Sequence, residues 1–376
     1  MAVEIRPIEP TRSELRKSVK FGIDLYRDNP YFVSPLVMDD VNTLTPTKNP
    51  AFDFCEAQSF MAYRDGRPVG RITAIINRVV NERTGQADLR FGFVDFIDDA
   101  EVVDALFSAA ADWGRQRGMT SMVGPMGFTD MDHEGMLTFG YDEVGTMATI
   151  YNYPYYVDHM HRMGFAKDAG WVEFYVKVPD KVPEKYARIA RIVQQREGLK
   201  VKKFKSRKKV KAQYGHALFE LINEAYDKLY GYSPLTPRQI DYYVDMYLGI
   251  LNLDYVTVIT DADDKIVAAG ISIQSFSRAL QKSRGRLFPF GWWHMLRALM
   301  GHSDAVDLLL IAVKPEYQSK GVNALIFNDL IPQYIKSGFL HAETNLELED
   351  NTKVQNQWDY FENRLHRRRA TFRKPL

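Results

Sequence analysis

The chain has 376 residues, 45% of them apolar and 26% charged, and a net charge of +1. Its length predicts two domains, each with a sizeable core, and its near-neutral balance excludes a general electrostatic pull toward nucleic acid or an anionic membrane. A single cysteine, Cys55, excludes an intrachain disulfide; the charged opening MAVEIRPIEP and the lack of any ~20-residue apolar run exclude a signal peptide and a membrane span, so the cytoplasm is the expected location.

In chain order, a helical stretch leads to Tyr26 and the segment YRDNPYFVSPL, which closes on Ser34–Leu36. SFMAYRDGRPVGRITAII from Ser59 alternates as strand, turn and strand, and LRFGFVDF from Leu89 is a strand feeding the helix AEVVDALFSAAADWGRQRG. A short strand follows Gly118, then a helix through YYVDHMHRMGF and a last strand, WVEFYVKV, from Trp171. Pro179 and Pro183 interrupt the chain next. Beyond them Tyr186, Ile189, Ile192 and Val193 share one face of a helix predicted to connect two halves.

The order then starts again. Tyr226, 200 residues after Tyr26, opens YDKLYGYSPL, which closes on Ser233–Leu235. YVTVITDADDKIVAAGISI from Tyr255 is again strand, turn and strand, and VDLLLIAV, ending at Val313, is the next strand. A short strand follows Gly338, then the helical VQNQWDYFENRL and the strand RRRATFRK. Each unit reads strand-helix-helix-strand-strand-strand-helix-strand-helix-strand, and so long a period marks a duplication rather than a solenoid. We expect an α/β layered fold of two tandem units, each a mixed sheet flanked by helices: residues 1–180, a connecting helix over 181–198, and residues 199–376.

Only the second unit carries an anion-binding pattern. The strand ending at Val313 passes through a turn with Gln318, Lys320 and Gly321 into a helix marked by Ala324, Leu325, Phe327, Leu330, Ile331 and Ile335. A helix that opens just after a strand end aims unpaired N–H groups and the positive end of its dipole into the turn, and Gly321 lets a ligand come close. In the first unit the same place reads FIDDAEVVDALF, where Asp98, Asp99 and Glu101 satisfy the helix end and repel phosphate. Neither a Walker-type G-x-x-x-x-G-K-[ST] nor a Rossmann-type G-x-G-x-x-G occurs at a strand–helix junction.

The run VKPEYQSKGVNALIFNDLIPQYIKSG resembles motif A of the GCN5-related N-acyltransferases (GNAT), whose Gln/Arg-x-x-Gly-x-Gly/Ala turn holds the pyrophosphate of an acyl coenzyme A. Gln318 and Gly321 match, and Asn323 stands where the family keeps a small residue. The element order of both units is that of the same family, and similar tandem arrangements occur in the FemABX-type peptidyltransferases and N-myristoyltransferase. The resemblance implies a tandem-domain bacterial acyltransferase-like protein whose second half binds acetyl-CoA or another acyl-CoA as co-substrate. The implied binding residues are Ala312, Val313 and Lys314 on the strand, Gln318, Ser319, Lys320, Gly321, Val322 and Asn323 in the turn, and Asn351 at the start of a later helix. The first half is expected to be a degenerate partner that supplies part of the acceptor site.

The implied chemistry is direct attack of an amine, on a small molecule or peptide, upon the thioester in a ternary complex. Tyr360 lies near where the family places the tyrosine that protonates the leaving thiolate. Glu347 or Glu349, in a stretch where Glu343, Asn345, Glu347 and Glu349 alternate, is the candidate base. A protein that senses acyl-CoA without turnover, and a transferase that uses aminoacyl-tRNA, are the alternatives.

Asp130, Asp132, His133 and Glu134, with Asp158, His159 and His161, lack the spacing of a metal site, so no metal is expected and acceptor-site polar groups or a solvated loop remain. KVKKFKSRKKVK from Lys200 has eight basic residues in twelve and reads as a basic strand edge or a patch for an anionic partner. QSFSRALQKSRGRLFPFGWWHMLRALMGHSDA from Gln274 is an insertion basic throughout until Asp304 and rich in aromatics. It is expected to wall an acyl or acceptor pocket, to pack as a helical hairpin, or to touch a membrane peripherally.

Overall fold

The computed structural model describes residues 2–249 and 251–376. The first half runs β1 (Glu4–Ile8), α1 (Arg12–Leu25), α2 (Val37–Thr43), β2 (Cys55–Arg64), β3 (Arg67–Asn77), α3 (Arg78–Thr84), β4 (Asp88–Phe96), α4 (Ala100–Arg115), β5 (Ser121–Gly124), β6 (Met136–Phe139), α5 (Tyr155–Arg162) and β7 (Ala166–Lys177). After the connecting α6 (Glu184–Glu197), the second half runs β8 (Lys200–Lys202), α7 (Arg207–Tyr226), α8 (Pro237–Leu248), β9 (Val256–Thr260), β10 (Ile266–Gln274), α9 (Ser277–Ser283) and α10 (Gly291–Met300). It closes with β11 (Ala305–Val313), α11 (Asn323–Lys336), β12 (His341–Thr344), β13 (Glu347–Leu348), α12 (Thr352–Gln355) and β14 (Asn363–Pro375). The expected α/β architecture of two repeats on a mixed sheet is what forms. We keep 1–180 and 199–376 as the proposed covalent units.

Each half covers both faces of its sheet. In the first half, α4 buries Val102, Val103, Leu106 and Phe107 on one face, while α1 buries Leu15, Val19 and Ile23 against Met61 and Ile75 on the other. In the second half, α11 buries Leu325, Phe327 and Leu330 on one face, and α7 buries Leu218, Phe219 and Ile222 on the other. Cys55 belongs to this packing, its thiol pushed up to about 12 by burial. Edge strand β8 carries Lys200 and Lys202, charges that discourage further strand pairing.

The strands cross between halves in a way that element order alone does not reveal. The sheet runs β1-β2-β3-β4-β5-β14-β7-β12-β11-β10-β9-β8. Hence β14 of the second half borders β5 of the first, and β7 of the first half borders β12 of the second. The two exchanged strands pair with each other from Asn363↔Val176 to Arg373↔Ala166. A shift between Leu365 and Arg367 turns both His366 and Arg367 inward, and alternation then buries Arg369 and exposes Arg368. Arg367 Nε donates to Glu173 Oε2 at 2.7 Å and Arg369 Nε to Oε1 at 2.5 Å, with Glu173 fully buried. Arg367 also reaches Glu343 at 2.9 Å. This cluster is the polar centre of the seam.

Candidate active site

The site begins where two parallel strands part. β11 and β12 pair from Ala305↔His341 to Leu308↔Thr344 and then separate. Beyond Thr344 the chain stays beside β7, which β12 already borders, through β13, pairing Glu347 with Val172 and Leu348 with Trp171. Leu309 bulges out of the β10–β11 ladder, which steps from Ile271↔Leu310 to Ser272↔Leu308. Asn345 Nδ2 donates to the Leu309 carbonyl at 3.0 Å, and the Tyr226 hydroxyl donates to the Ile311 carbonyl at 3.0 Å.

The sequence pointed to amide donors at Ala312–Lys314, but there the ladder is regular and the Lys314 N–H donates to Val267 O at 2.9 Å. By strand alternation the Val313 N–H faces the parted edge and Lys314's does not. Gln318 Nε2 occupies the Val313 carbonyl at 3.0 Å.

The first half has the same device, filled by its own chain. β4 and β5 pair from Asp88↔Ser121 to Arg90↔Val123 and part, and β4 carries a bulge at Phe93–Val94. Into that gap runs Met126–Phe128: the Met126 N–H donates to Phe91 O at 2.8 Å, Asn77 Nδ2 to Phe128 O at 2.8 Å, and Arg90 Nη1 to Gly127 O and Phe128 O at 3.3 Å. The helix ends differ as well. Asp99 caps α4, accepting from Val102 N–H at 3.2 Å and pairing with Arg64 at 2.6 Å. α11 opens with no side-chain cap.

Around that uncapped end the backbone forms a cradle of free amides. Ser319 has φ +60° and Gly321 φ +83°. Among the described residues, the N–H groups of Ser319, Gly321, Val322 and Asn323 donate to no protein acceptor. Successive free amides around left-handed residues, at a helix N-terminus, suit a phosphate or pyrophosphate. Gln318, Ser319 and Lys320 are exposed. Gly321 has a further reason to be glycine: a Cβ there would stand 2.9 Å from Ile189 Cγ2 of the connecting helix. A Gly321 substitution therefore disturbs α6 as well as the turn, and Lys320→Glu is the cleaner probe. Lys320 is exposed and its pairing with Glu197 is loose, at 3.6 Å. If these amides hold the pyrophosphate of a coenzyme A, Lys320→Glu is expected to weaken its binding about tenfold, about 1.4 kcal/mol, measured by calorimetry, while shifting stability by less than ~0.5 kcal/mol.

From the parted strands a cavity of about 850 Å³ extends between the halves. Leu308–Ile311 and Thr344–Leu348 wall one end, and Leu218, Ile222, Phe276, Leu280, Leu287 and Met295 make a broad apolar side. Glu347 faces this space. Its Oε1 accepts from Trp358 Nε1 at 2.8 Å, and its Oε2 is buried without a partner. Burial pushes its carboxyl up to about 7, against the opposing pull of the Trp358 N–H. Trp171, backbone partner of Leu348, packs on Tyr230 with ring centroids 5.8 Å apart. It also lies beside Gly135, next to a second polar group in the wall: Asp130, Asp132, His133 and Glu134. Burial and mutual repulsion raise Asp130 and Glu134 above the ordinary carboxylate range.

The sequence-predicted residues divide. Glu347 and Asn351 line the cavity. Asn351 stands at the start of α12 without making a side-chain cap. Glu349 is outside the cavity wall and pairs with Lys167 at 2.5 Å. Tyr360 is also outside it, 46% exposed, with Lys185 over its ring at 3.9 Å and bonded to its hydroxyl at 2.5 Å. Glu343 is held by Arg367, His366 and His341, which keep its carboxyl well below the usual range despite burial.

Sequence reasoning missed Tyr226, although the repeat contained the signal. Its counterpart Tyr26 donates to Asp95 Oδ1 at 3.0 Å on β4, just as Tyr226 reaches Ile311 on β11. Both tyrosines touch the bulge-bearing strand of their own half. The YNYPYY segment largely packs, with Tyr156 stacked on Phe96 at 4.1 Å and Tyr151 in the cavity wall.

No protein-family model matches the chain. It is 28% identical over 318 residues to the bacterial ceramide synthase of Caulobacter vibrioides, covering 82% of this chain and 80% of that protein. It is 26% identical over 380 residues to Protein YghO of Escherichia coli K12, covering 97% and 94%. Among solved structures, a tandem GNAT protein from the clavulanic acid biosynthesis pathway superposes over 99% of this chain and 98% of its own with a TM-score of 0.59, at 12% identity. Two repeats, a parted parallel strand pair in each, an uncapped phosphate-type turn in the second and a full-length tandem neighbour lead to one conclusion: the chain has the GCN5-related N-acyltransferase fold, in tandem.

Proposed function

We propose that the protein is an N-acyltransferase that moves a long-chain acyl group from acyl coenzyme A to the amine of a long-chain acceptor, by direct attack in a ternary complex. The observation that carries this reading is Glu347, which lines a large apolar cavity beside the parted strands and whose carboxyl, with Oε2 buried and unpartnered, is shifted to about 7. The cradle at Ser319–Asn323 holds the pyrophosphate, the pantetheine arm runs along β11, and the thioester reaches the Leu309 bulge. The apolar side of the cavity holds hydrocarbon, for which an acetyl group has no use. The relative from Caulobacter is named for making ceramide, an N-acylated long-chain amino alcohol, and this supports the same acceptor class.

The acceptor arrives as an ammonium, with an ordinary pKa near ~10.4. Glu347 removes one proton, the nitrogen attacks the thioester carbon, the C–N bond forms and the C–S bond breaks. Of the two protons left on the nitrogen, one stays on the amide and the other passes to the thiolate, with Tyr226 the hydroxyl at the parted edge of β11. Tyr226→Phe is expected to lower kcat about tenfold with coenzyme A affinity unchanged, and Tyr360→Phe to leave kcat within about twofold. Incubating the protein with palmitoyl-CoA and sphinganine, and measuring released thiol and N-acyl product by mass spectrometry, tests the function. Coenzyme A binding without thiol release would leave the sensing role instead.

A further inference from the structure

The insertion α9–α10 carries more than a cavity wall. Its inner residues Leu280, Leu287 and Met295 line the cavity, whereas Phe288 (80%), Phe290 (75%) and Met300 (72%) are exposed, with Trp292 and Trp293 nearly half so. Leu299 belongs to both sets, being 44% exposed and in the cavity wall, so the exposed apolar face and the lining are continuous. The same segment carries Arg278, Lys282, Arg284, Arg286 and Arg297, all exposed, with no acidic residue from Gln274 to Ser303. Arg278 pairs with Asp304; among the described residues the other four meet no carboxylate.

The base of the insertion is fixed to the first half. Gln281 Nε2 donates to Pro30 O at 2.7 Å, Val37 N–H to Gly285 O at 2.9 Å, and Ser277 Oγ to Gly145 O at 3.0 Å. A tip of exposed aromatics on a basic segment, anchored at its base and continuous with an apolar cavity, matches one partner in both hydrophobicity and charge. We propose that the α9–α10 tip docks on the surface of an anionic lipid bilayer, with Phe288, Phe290, Trp292 and Trp293 at the acyl boundary and the basic residues on the headgroups. Lipid-like substrates then pass between bilayer and cavity along Leu299 without crossing water. The chain's overall charge conceals this, because +1 for the whole protein includes five positive charges on one segment.

The test is co-sedimentation with phosphatidylcholine vesicles containing phosphatidylglycerol, compared with phosphatidylcholine alone. Wild type should bind the anionic vesicles and release at high salt. Phe288→Ala/Phe290→Ala should lower the partition coefficient about tenfold, and Arg286→Glu/Arg297→Glu by a similar factor. Unchanged far-UV circular dichroism and coenzyme A affinity would establish that each variant is folded. Three results would overturn the proposal: no binding by wild type, variants that bind like wild type, or a wild-type dimer in solution that Phe288→Ala/Phe290→Ala turns into a monomer, which would assign the patch to a second copy of the chain. Vesicle binding needs no turnover, so its failure would leave the acyl-transfer reading standing.

Discussion

Glu347→Gln is expected to abolish most turnover, by about 10²- to 10⁴-fold in kcat, and to leave coenzyme A affinity unchanged. The amide keeps the size of the carboxyl and can still accept from Trp358, so the wall is preserved while the proton acceptor is lost. The pH profile gives the sharper reading. A base raised to about 7 is ionised above that pH and protonated below it, so wild-type kcat/KM rises with pH through about 7, and the residual rate of the variant loses that limb. Stability moves the other way. A carboxyl whose pKa is higher in the folded than in the unfolded chain binds more protons when folded, so its cost appears as pH rises from the ordinary value to about 7. Glu347→Gln should therefore stabilise the protein at pH 8, on the order of 1–3 kcal/mol, and be near neutral at pH 4. A gain at pH 8 together with lost turnover separates a functional carboxylate from a structural one.

Glu173→Ala is expected to destabilise the protein by about 3–5 kcal/mol in urea unfolding followed by circular dichroism. Glu173 is fully buried and meets both Arg367 and Arg369, each about 1% exposed, so its removal leaves buried guanidinium charge uncompensated. The lost contacts also link β7 to β14, the strands through which the halves are interleaved. Glu362→Ala is the control: it breaks a bond between Lys177 of β7 and the residue just before β14, but both side chains are more than half exposed, and the change should stay within ~0.5 kcal/mol. Equal effects of the two would mean that the seam's polar centre contributes no more than surface pairing.

The element order of both halves was legible because each strand and helix carries its own period and turn residues. The turn at Gln318–Gly321 was legible because an uncapped helix after a strand needs small or left-handed residues, and Gly321 with Ser319 supplies them. The exchange of β7 and β14 was not legible, since WVEFYVKV and RRRATFRK would satisfy a ladder with either neighbour; the exchange brings Glu173 onto two arginines distant in sequence. Tyr360 was placed by the family resemblance and Glu349 by strand alternation, but β13 is only two residues long, so alternation along 343–349 breaks off and Glu349 turns to Lys167. The cavity belongs to neither half alone. Its lining comes from α1, α7, α8, the insertion and both bulged strands, and only the interleaved sheet brings these together.

The most direct test is a crystal structure with the thioether S-hexadecyl coenzyme A, a donor analogue that cannot transfer. Our account predicts the pyrophosphate on the amides of Ser319–Asn323, the sulfur between the Leu309 bulge and Glu347, and the hydrocarbon chain along Leu218, Ile222 and Leu280 in the cavity between the halves. A pyrophosphate at the Asp99-capped end of α4, or a chain lying outside that cavity, would contradict it.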